Sequence, residues 1–336
     1  MNTPKTVLVT GASGQLGRRL VRELLARGYS IRAHYRSPEK ADKYCPQGVE
    51  PVIGDITEPL WMYGAVKGCD YVIHGAARVS IRPLSKADTE YMYRVNVIGT
   101  KHVIDACTLG DVQRLLHVSS VAAVGGSVNG RPLDEETEFN LAGYGLPYFE
   151  TKREAEDFAL GANGDSLEVV VVNPSIMVSP PDRKLTEKDL RKIPKRIPVY
   201  FDFGINLVET ADVIDGIIGA LEKGRPGQRY ILAADNLNPS KAFELANKFL
   251  GIKKPLIKIP YWGLYLLACI SELIYLFKKK KPKLNRNVVR LVGLKLYYSS
   301  EKAQRELGYT PKPLAETLAG ILKKVKFVRD THNKRK

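Results

Sequence analysis

Tyr148 and Lys152 stand four residues apart in GLPYFETKREAE, residues 145–156. On a helix that spacing sets them one above the other on a single face. Two readings are open at this point. Glu150, Lys152, Arg153, Glu154, Glu156 and Asp157 make the segment highly charged, so the pair fits the solvated first turn of a surface helix. It also fits a proton-transfer device: a free phenol has a pKa of about 10, too high for easy exchange near neutral pH. A neighbouring ammonium favours the phenolate and lowers that value. Ser119 and Ser120 close the run RLLHVSS, residues 114–120. Taken alone, they read as hydroxyls at the end of a strand.

A second cluster of chemistry lies near the start. VLVTGASGQLGRRLVREL reads as a strand, a glycine-rich turn and a helix, with Gly11, Gly14 and Gly17 in G-x-x-G-x-x-G spacing. Gly11 permits the tight turn, Gly14 lets backbone approach a pyrophosphate, and Gly17 lets helix and strand pack closely. The triplet sits at the first strand–helix junction of a βαβ run, which points to a dinucleotide. The second strand ends SIRAHYRSPEK. An NAD-preferring site offers an acid near there to the ribose 2′-hydroxyl, but the first acid is Glu39. Arg36 stands in its place, with Lys40 and Lys43 beyond, a setting suited to a 2′-phosphate. NADP(H) is expected over NAD(H); Arg36 as a plain surface loop residue is the alternative.

These residues need a scaffold. TVLVT (6–10), SIRAHY (30–35), VEPVI (49–53), DYVIHG (70–75), RLLHVSS (114–120) and LEVVVVN (167–173) read as strands. Helical patterns fall between them at 15–28, 59–67, 89–108 and 147–161. Alternation of this kind predicts a parallel sheet covered on both faces. After Pro174 it weakens: 179–198 is proline-rich and charged, 208–224 returns as a helix, and RYILA (229–233) as a strand. From 240 onward the pattern is helical, ending near 300–307 and 313–327.

The 336 residues are 44% hydrophobic and 26% charged, values of an ordinary globular chain. Cys45, Cys69, Cys107 and Cys269 have neither metal-like nor paired spacing, so free thiols in a reducing compartment are expected, and no metal site. MNTPKTVLVTGASG runs straight into a strand without a signal-peptide profile, and a cytoplasmic location is expected. The net charge of +16 is local. Residues 1–250 are balanced, whereas 251–336 hold 21 basic and 5 acidic side chains.

Seven motifs in order give the chain a resemblance to the extended short-chain dehydrogenase/reductases. They are TGASGQLG (10–17), GDIT (54–57), HGAA (74–77), NVIGT (96–100), HVSSVAAVGG (117–126), PYFETK (147–152) and NPSIM (173–177). The resemblance implies a Rossmann-type doubly wound parallel sheet over 1–178, rejoined by 208–234. A smaller, mainly helical substrate-binding region would comprise 179–207 and 235–336. Tyr148 and Lys152 match the family's Tyr-x-x-x-Lys pair. That resemblance implies that Tyr148 exchanges a proton with the substrate oxygen while hydride moves to or from the nicotinamide. It implies that Ser120, five residues before Gly125, holds the same oxygen, and that Ser119 contacts cofactor. It further implies that Ser13, Gln15 and Leu16 join the glycines at the cofactor, Asp55 and Ile56 hold the adenine, and Ala76 and Ala77 leave room for phosphates and ribose. Asn173, Pro174, Ser175 and Ile176 would lie by the nicotinamide. Asn96 would take a local helix kink and support a proton path to Lys152, although an isolated Asn in a helix reads as a neutral surface residue.

Within the family, Val121 and Ala122 follow Ser120 where sugar dehydratases carry Asp-Glu. Ile205 and Asn206 stand near the point where nucleotide-sugar epimerases carry an Arg for a diphosphate. VVVNPSIMVSPPD, GQRYILAADNLNPSKAFELA and YYSSEKAQRELGYTPKPLAETL resemble the dihydroflavonol-reductase-like and 3β-hydroxysteroid-dehydrogenase-like branch. That implies an NADP(H)-dependent interconversion of a carbonyl and a secondary alcohol on a lipophilic substrate. The alternative is a nucleotide-sugar or hopanoid-associated sugar epimerase. A homodimer is a family expectation.

IPYWGLYLLACISELIYLFKKKKPK (259–283) is apolar on all sides before Lys278, Glu272 excepted. Three placements are open: a short membrane span, a helix buried over the substrate cleft, or a helix on an anionic membrane surface with Trp262, Tyr265 and Tyr275 at headgroup level and Lys278–Lys281 on the lipid. Nucleic acid is not expected as a partner, because the aromatics cluster before the lysines instead of interleaving with them.

Overall fold

The computed structural model describes residues 4–81, 85–179, 203–238, 257–278 (side chains of 275–278 excepted) and 284–313, with the backbone of 199–200 and the single residues Ser240 and Glu316. Twelve strands are present among them: β1 (Thr6–Thr10), β2 (Ser30–Tyr35), β3 (Glu50–Ile53), β4 (Tyr71–His74), β5 (Arg114–Val118), β6 (Glu168–Pro174), β7 (Ile176–Val178), β8 (Val199–Tyr200), β9 (Ile205–Glu209), β10 (Gln228–Leu232), β11 (Asp235–Leu237) and β12 (Ile257–Lys258). Seven form one parallel sheet in the order β10-β6-β5-β4-β1-β2-β3. The strands run β1 to β3 towards one edge, then β4 starts again on the other side of β1. The crevice at such a switch, outside the carboxyl ends of the strands, is where open α/β sheets bind ligands.

Unbroken apolar runs make these strands because both faces are buried. Val7 and Val9 enter one core cluster and Leu8 the other; Val170 and Val172 divide from Val169 and Val171 in the same way. Each fully buried Val or Leu contributes roughly 1.5–3 kcal/mol. On the first face lie α1 (Gln15–Ala26), through Leu20, Val21 and Leu24, and the helix Thr210–Lys223, through Val213, Ile214 and Ile217. The second face takes Met62, Ala65 and Val66 of the helix Pro59–Val66, and Val103, Ile104 and Cys107 of Gly99–Leu109. In chain order the helices are α1, α2 (Pro38–Tyr44), α3 (Pro59–Val66), α4 (Lys86–Tyr93), α5 (Gly99–Leu109), α6 (Pro147–Gly161), α7 (Thr210–Lys223), α8 (Tyr261–Lys278), α9 (Arg286–Val292) and α10 (Glu301–Leu307).

Three expectations are corrected. The helix expected over 89–108 spans α4 and α5 with a π turn, Arg94–Ile98, between them. Helix α2 was not expected, because PEKADKY is too short and polar for an apolar period. The helix expected from 208 begins at Thr210; Val208 and Glu209 end β9, which pairs with β7 and β11, and Val208 is buried in the core. The region 180–198 and the helix expected near 313–327 lie outside the described residues, apart from Pro313 and Glu316. No described helix is long and apolar enough to cross a membrane.

Candidate active site

Helix α6 starts with Pro147 in its first turn, where a missing N–H costs no hydrogen bond. Its inner face is not solvated: Lys152 is 3% and Glu156 0% exposed. Glu150 and Asp157 take the exposed positions. The Ser120 hydroxyl lies close enough to the Tyr148 phenol to favour its ionised form, and Ser120 Oγ accepts from Ala122 N at 3.2 Å. Ser120 lies just past β5, at the head of the one-turn helix Val121–Ala123. One turn below Tyr148, Lys152 Nζ donates to Val118 O at 2.9 Å.

The lowering expected of Tyr148 does not hold in the chain by itself. Burial is the larger effect and raises its pKa, with the Ser120 hydroxyl pulling the other way. The ammonium expected to acidify the phenol is instead perturbed: burial lowers Lys152 to about 8, and the Glu156 carboxylate opposes that shift. Two imidazoles share this dry region. His74 is held by Thr10 Oγ1 at 2.8 Å and Thr100 Oγ1 at 2.9 Å, and its ring lies 5.4 Å from that of His117. Burial, reinforced by the Lys152 charge, lowers His74 to about 3 and His117 well below its usual range. Both are therefore neutral.

Sequence reasoning missed the support beneath Lys152. Glu156 accepts from Asn173 Nδ2 at 2.6 Å and from Arg229 Nη1 at 3.1 Å. Arg229 Nη2 also donates to the carbonyls of Glu135 and Thr137, and Asn173 Nδ2 to Ser120 O at 3.1 Å. A conventional charged pattern hides such a network, because its partners come from α6, β6, β10 and a loop. The sole sequence signal was Glu156 itself, one turn past Lys152 on the same face.

Asn96 is likewise no surface residue. It is 2% exposed and sits inside the π turn. Its Oδ1 accepts from Arg78 N at 2.7 Å, and its Nδ2 donates to Arg78 O at 3.0 Å and Thr151 Oγ1 at 3.1 Å. The amide ties the loop after β4 to α6, and the kink in the helix accompanies it.

Next to this machinery two cavities open. One of about 370 Å³ is lined by Gly11, Ser13, Gly14, Arg36, Asp55, Ile56, Ala76 and Ala77, together with His34, Arg78, Val79 and Tyr91. The other, of about 160 Å³, is lined by Tyr148, Ser80, Ile81, Leu146, Phe149, Asn285 and Asn287 among others. Consecutive residues Val79 and Ser80 line one each.

The first cavity fits a dinucleotide. Gly11 has φ +76°, and a Cβ there would lie 2.8 Å from Ala76 N. Gly17 has no room for a Cβ against Gly11 O. The first turn of α1 carries no side-chain cap and no acid, leaving amide N–H groups for an anion. His34 Nδ1, on the lining, is buried without a hydrogen-bond partner, as is Ser119 Oγ, which lies outside the lining. Arg36 is exposed, and its Nη1 donates to Tyr91 Oη at 3.1 Å. Asp55 Oδ1 accepts from Thr57 N and Oγ1, both at 2.9 Å. Gln15, Leu16 and Gly17 form the start of α1 behind the lining, and Gln15 Nε2 donates to Ser179 Oγ. Lys40, in α2, lies outside the lining. Pro174 ends β6; Ser175 Oγ donates to Asn206 Oδ1 at 2.6 Å, and Ile176 is exposed. Asn206 is thereby consumed by Ser175, Ala234 and Asn236.

The second cavity corrects the reading of a C-terminal helix laid over the cleft. Its wall comes from Asn285, Asn287 and Val288 at the start of α9, with Asn287 Nδ2 donating to Gly145 O at 3.1 Å. Helix α8 packs behind α9 and keeps much of its own surface exposed.

Comparison with known proteins agrees with this geometry. Residues 7–233 match the model of the NAD dependent epimerase/dehydratase family. A putative dihydroflavonol 4-reductase of Synechocystis is 30% identical over 318 residues, 93% of this chain and 92% of its own length. A Stigmatella aurantiaca protein, 4-hydroxy-2-methyl-3-oxo-4-farnesyl-3,4-dihydroquinoline-1-oxide ketoreductase, is 33% identical over 313 residues, 90% of each chain. Among solved structures, gox2253 superposes with a TM-score of 0.77 at 29% identity, covering 98% of both chains. The chain therefore belongs to the NAD dependent epimerase/dehydratase family, within the extended short-chain dehydrogenase/reductases, and is an NAD(P)-dependent oxidoreductase.

Proposed function

We propose that the protein interconverts a carbonyl and a secondary alcohol on a lipophilic substrate, with NADP(H) preferred over NAD(H). The observation that carries this reading is Tyr148 on the lining of a small cavity beside the glycine-lined one, with the Ser120 hydroxyl near enough to favour its ionised form. A bound nicotinamide dinucleotide supplies or accepts the hydride. Ser120 and Tyr148 hold the substrate oxygen between two hydroxyls, and Tyr148 Oη gives or takes its proton. Lys152, cationic below about pH 8, stabilises the phenolate that this leaves behind. Asn96 ties α6 to the loop after β4, and the Glu156–Arg229 pair ties it to β10.

The second cavity mixes Ile81, Leu146, Phe149 and Val288 with the uncharged polar Ser80, Thr89, Asn285 and Asn287 and has no acid on its lining, which suits an uncharged substrate with an apolar part. The Stigmatella relative is named for a farnesylated ketone. Support for NADP(H) is Arg36 on the lining of the first cavity and the lack of an acid from Arg36 to Pro38. The epimerase reading is weakened at Asn206, whose side chain is committed to Ser175, Ala234 and Asn236.

The test is NADPH and NADH oxidation against a panel of lipid, steroid, flavonoid and nucleotide-sugar carbonyls, in the protein and in Arg36→Ala. The reading predicts net turnover with apolar ketones and a selective loss for NADPH in the variant. Conversion of nucleotide sugars without net cofactor oxidation would replace it with epimerisation. Equal loss for both cofactors would remove the NADP(H) preference.

A further inference from the structure

Helix α8 presents two unlike faces. On one, Leu264 and Ala268 are buried with Val289 of α9, and Glu272 accepts from Arg286 N at 2.8 Å and Nε at 2.7 Å. On the other, Trp262, Leu266, Leu267, Ile270, Leu273 and Ile274 are 45–71% exposed. At 3.6 residues per turn these six fall within an arc of about 140°, and no charged residue interrupts it. Single exposed apolar side chains are ordinary, but a contiguous stripe marks an interaction surface.

Whatever covers the stripe must also suit its charge. The helix ends at Lys278, Lys279, Lys280 and Lys281 follow, and residues 251–336 carry the whole net +16 of the chain. A second copy would bring its own Lys278–Lys281, next in sequence to the stripe, and the two lysine runs would repel. Duplex nucleic acid would satisfy the lysines but leave six large apolar side chains in water. An anionic bilayer satisfies both, with hydrocarbon for the stripe, an interfacial level for Trp262 and phosphate for the lysines.

We propose that the outer face of α8 docks this protein on an anionic membrane surface. The helix lies in the plane of the interface, its six apolar side chains entering the acyl boundary. This attachment is independent of the reaction assigned to Tyr148.

The test sediments the full-length protein with phosphatidylcholine vesicles, with or without phosphatidylserine, across a salt series. Binding to the phosphatidylserine vesicles that weakens with salt, with a blue shift of tryptophan emission, is the expected result. Leu266→Ser/Ile270→Ser/Leu273→Ser should lower partition at least ~10-fold while keeping turnover and the unfolding midpoint. Lys279→Glu/Lys281→Glu should also lose binding, with the stripe intact. Failure of the protein to sediment with phosphatidylserine vesicles overturns the proposal. So does unchanged partition of either variant. A concentration-dependent dimer abolished by the triple serine variant would assign the stripe to a second copy. Duplex DNA binding that survives the serine variant, with no vesicle binding, would assign the charge to nucleic acid.

Discussion

The floor beneath Lys152 and the outer face of α8 break the usual rule of burial in opposite directions. Under Lys152 the protein hides an ammonium, Glu156, Arg229 and two imidazoles. Along α8 it leaves six large apolar side chains exposed. Desolvating ionised groups is costly unless they are paired, and exposed hydrocarbon in a stripe is unfavourable to a smaller degree. In the buried region the charged groups are partnered within the chain, Lys152 by Val118 O and Glu156 by Arg229 and Asn173, whereas both ring nitrogens of His117 and Asn173 Oδ1 have no partner. The exposed region remains unsatisfied within the described residues, and the membrane surface proposed above would satisfy it.

The contrast gives graded predictions. Breaking the buried pair should have the largest effect on stability. Arg229→Met removes the guanidinium paired with the buried Glu156 carboxylate, leaving it Asn173 and the Lys152 charge, and should cost about 3 kcal/mol, read from denaturant unfolding. A loss below about 1 kcal/mol would mean that the region is wetter than its burial indicates. Acid should come next. His74 has a folded pKa of about 3 against about 6.5 unfolded. As pH falls below 6.5 the unfolded chain takes up the proton and the folded chain does not, so stability falls. From this group alone, going from pH 7 to pH 5 should remove about 2 kcal/mol. His74→Asn, weaker at pH 7, should lose correspondingly less over that interval, and parallel losses would refute the assignment.

Glu156→Gln should act through Lys152. The ammonium is the required form, and it is lost as pH rises through about 8. Since the carboxylate raises that value, its removal should move the alkaline limb of kcat lower by about one unit. A limb that stays in place, with kcat lowered uniformly, would reduce Glu156 to a packing role. The smallest effect belongs to α8: Leu266→Ser should change stability by no more than about 0.5 kcal/mol, because its side chain is 54% exposed. A larger loss would mean that the stripe is covered by the chain itself.

Much of this contrast was legible in the residues, and its gaps have physical causes. Tyr148 over Lys152 follows from helical spacing, and the glycine turn from its place after β1, since both depend on neighbours in sequence. The direction of the Tyr148 shift did not follow, because the ammonium was visible in the sequence but the burial opposing it was not. Glu156 was visible only as one more surface acid. Its pairing with Arg229, 73 residues away, depends on β10 joining the edge of the sheet. Asn96 was placed at a kink by resemblance, yet its bonds to Arg78 and Thr151 need the tertiary fold. An all-round apolar α8 cannot reveal which side α9 covers; only packing of Val289 against Leu264 and Ala268 decides it.

The central claim is that Tyr148 moves the proton. Turnover of Tyr148→Phe with NADPH and the best carbonyl substrate, beside cofactor affinity from NADPH fluorescence, tests it most directly. The account predicts an affinity unchanged within about twofold and a kcat lowered at least ~100-fold. A kcat within a few-fold of the wild-type value, at equal affinity, would contradict it.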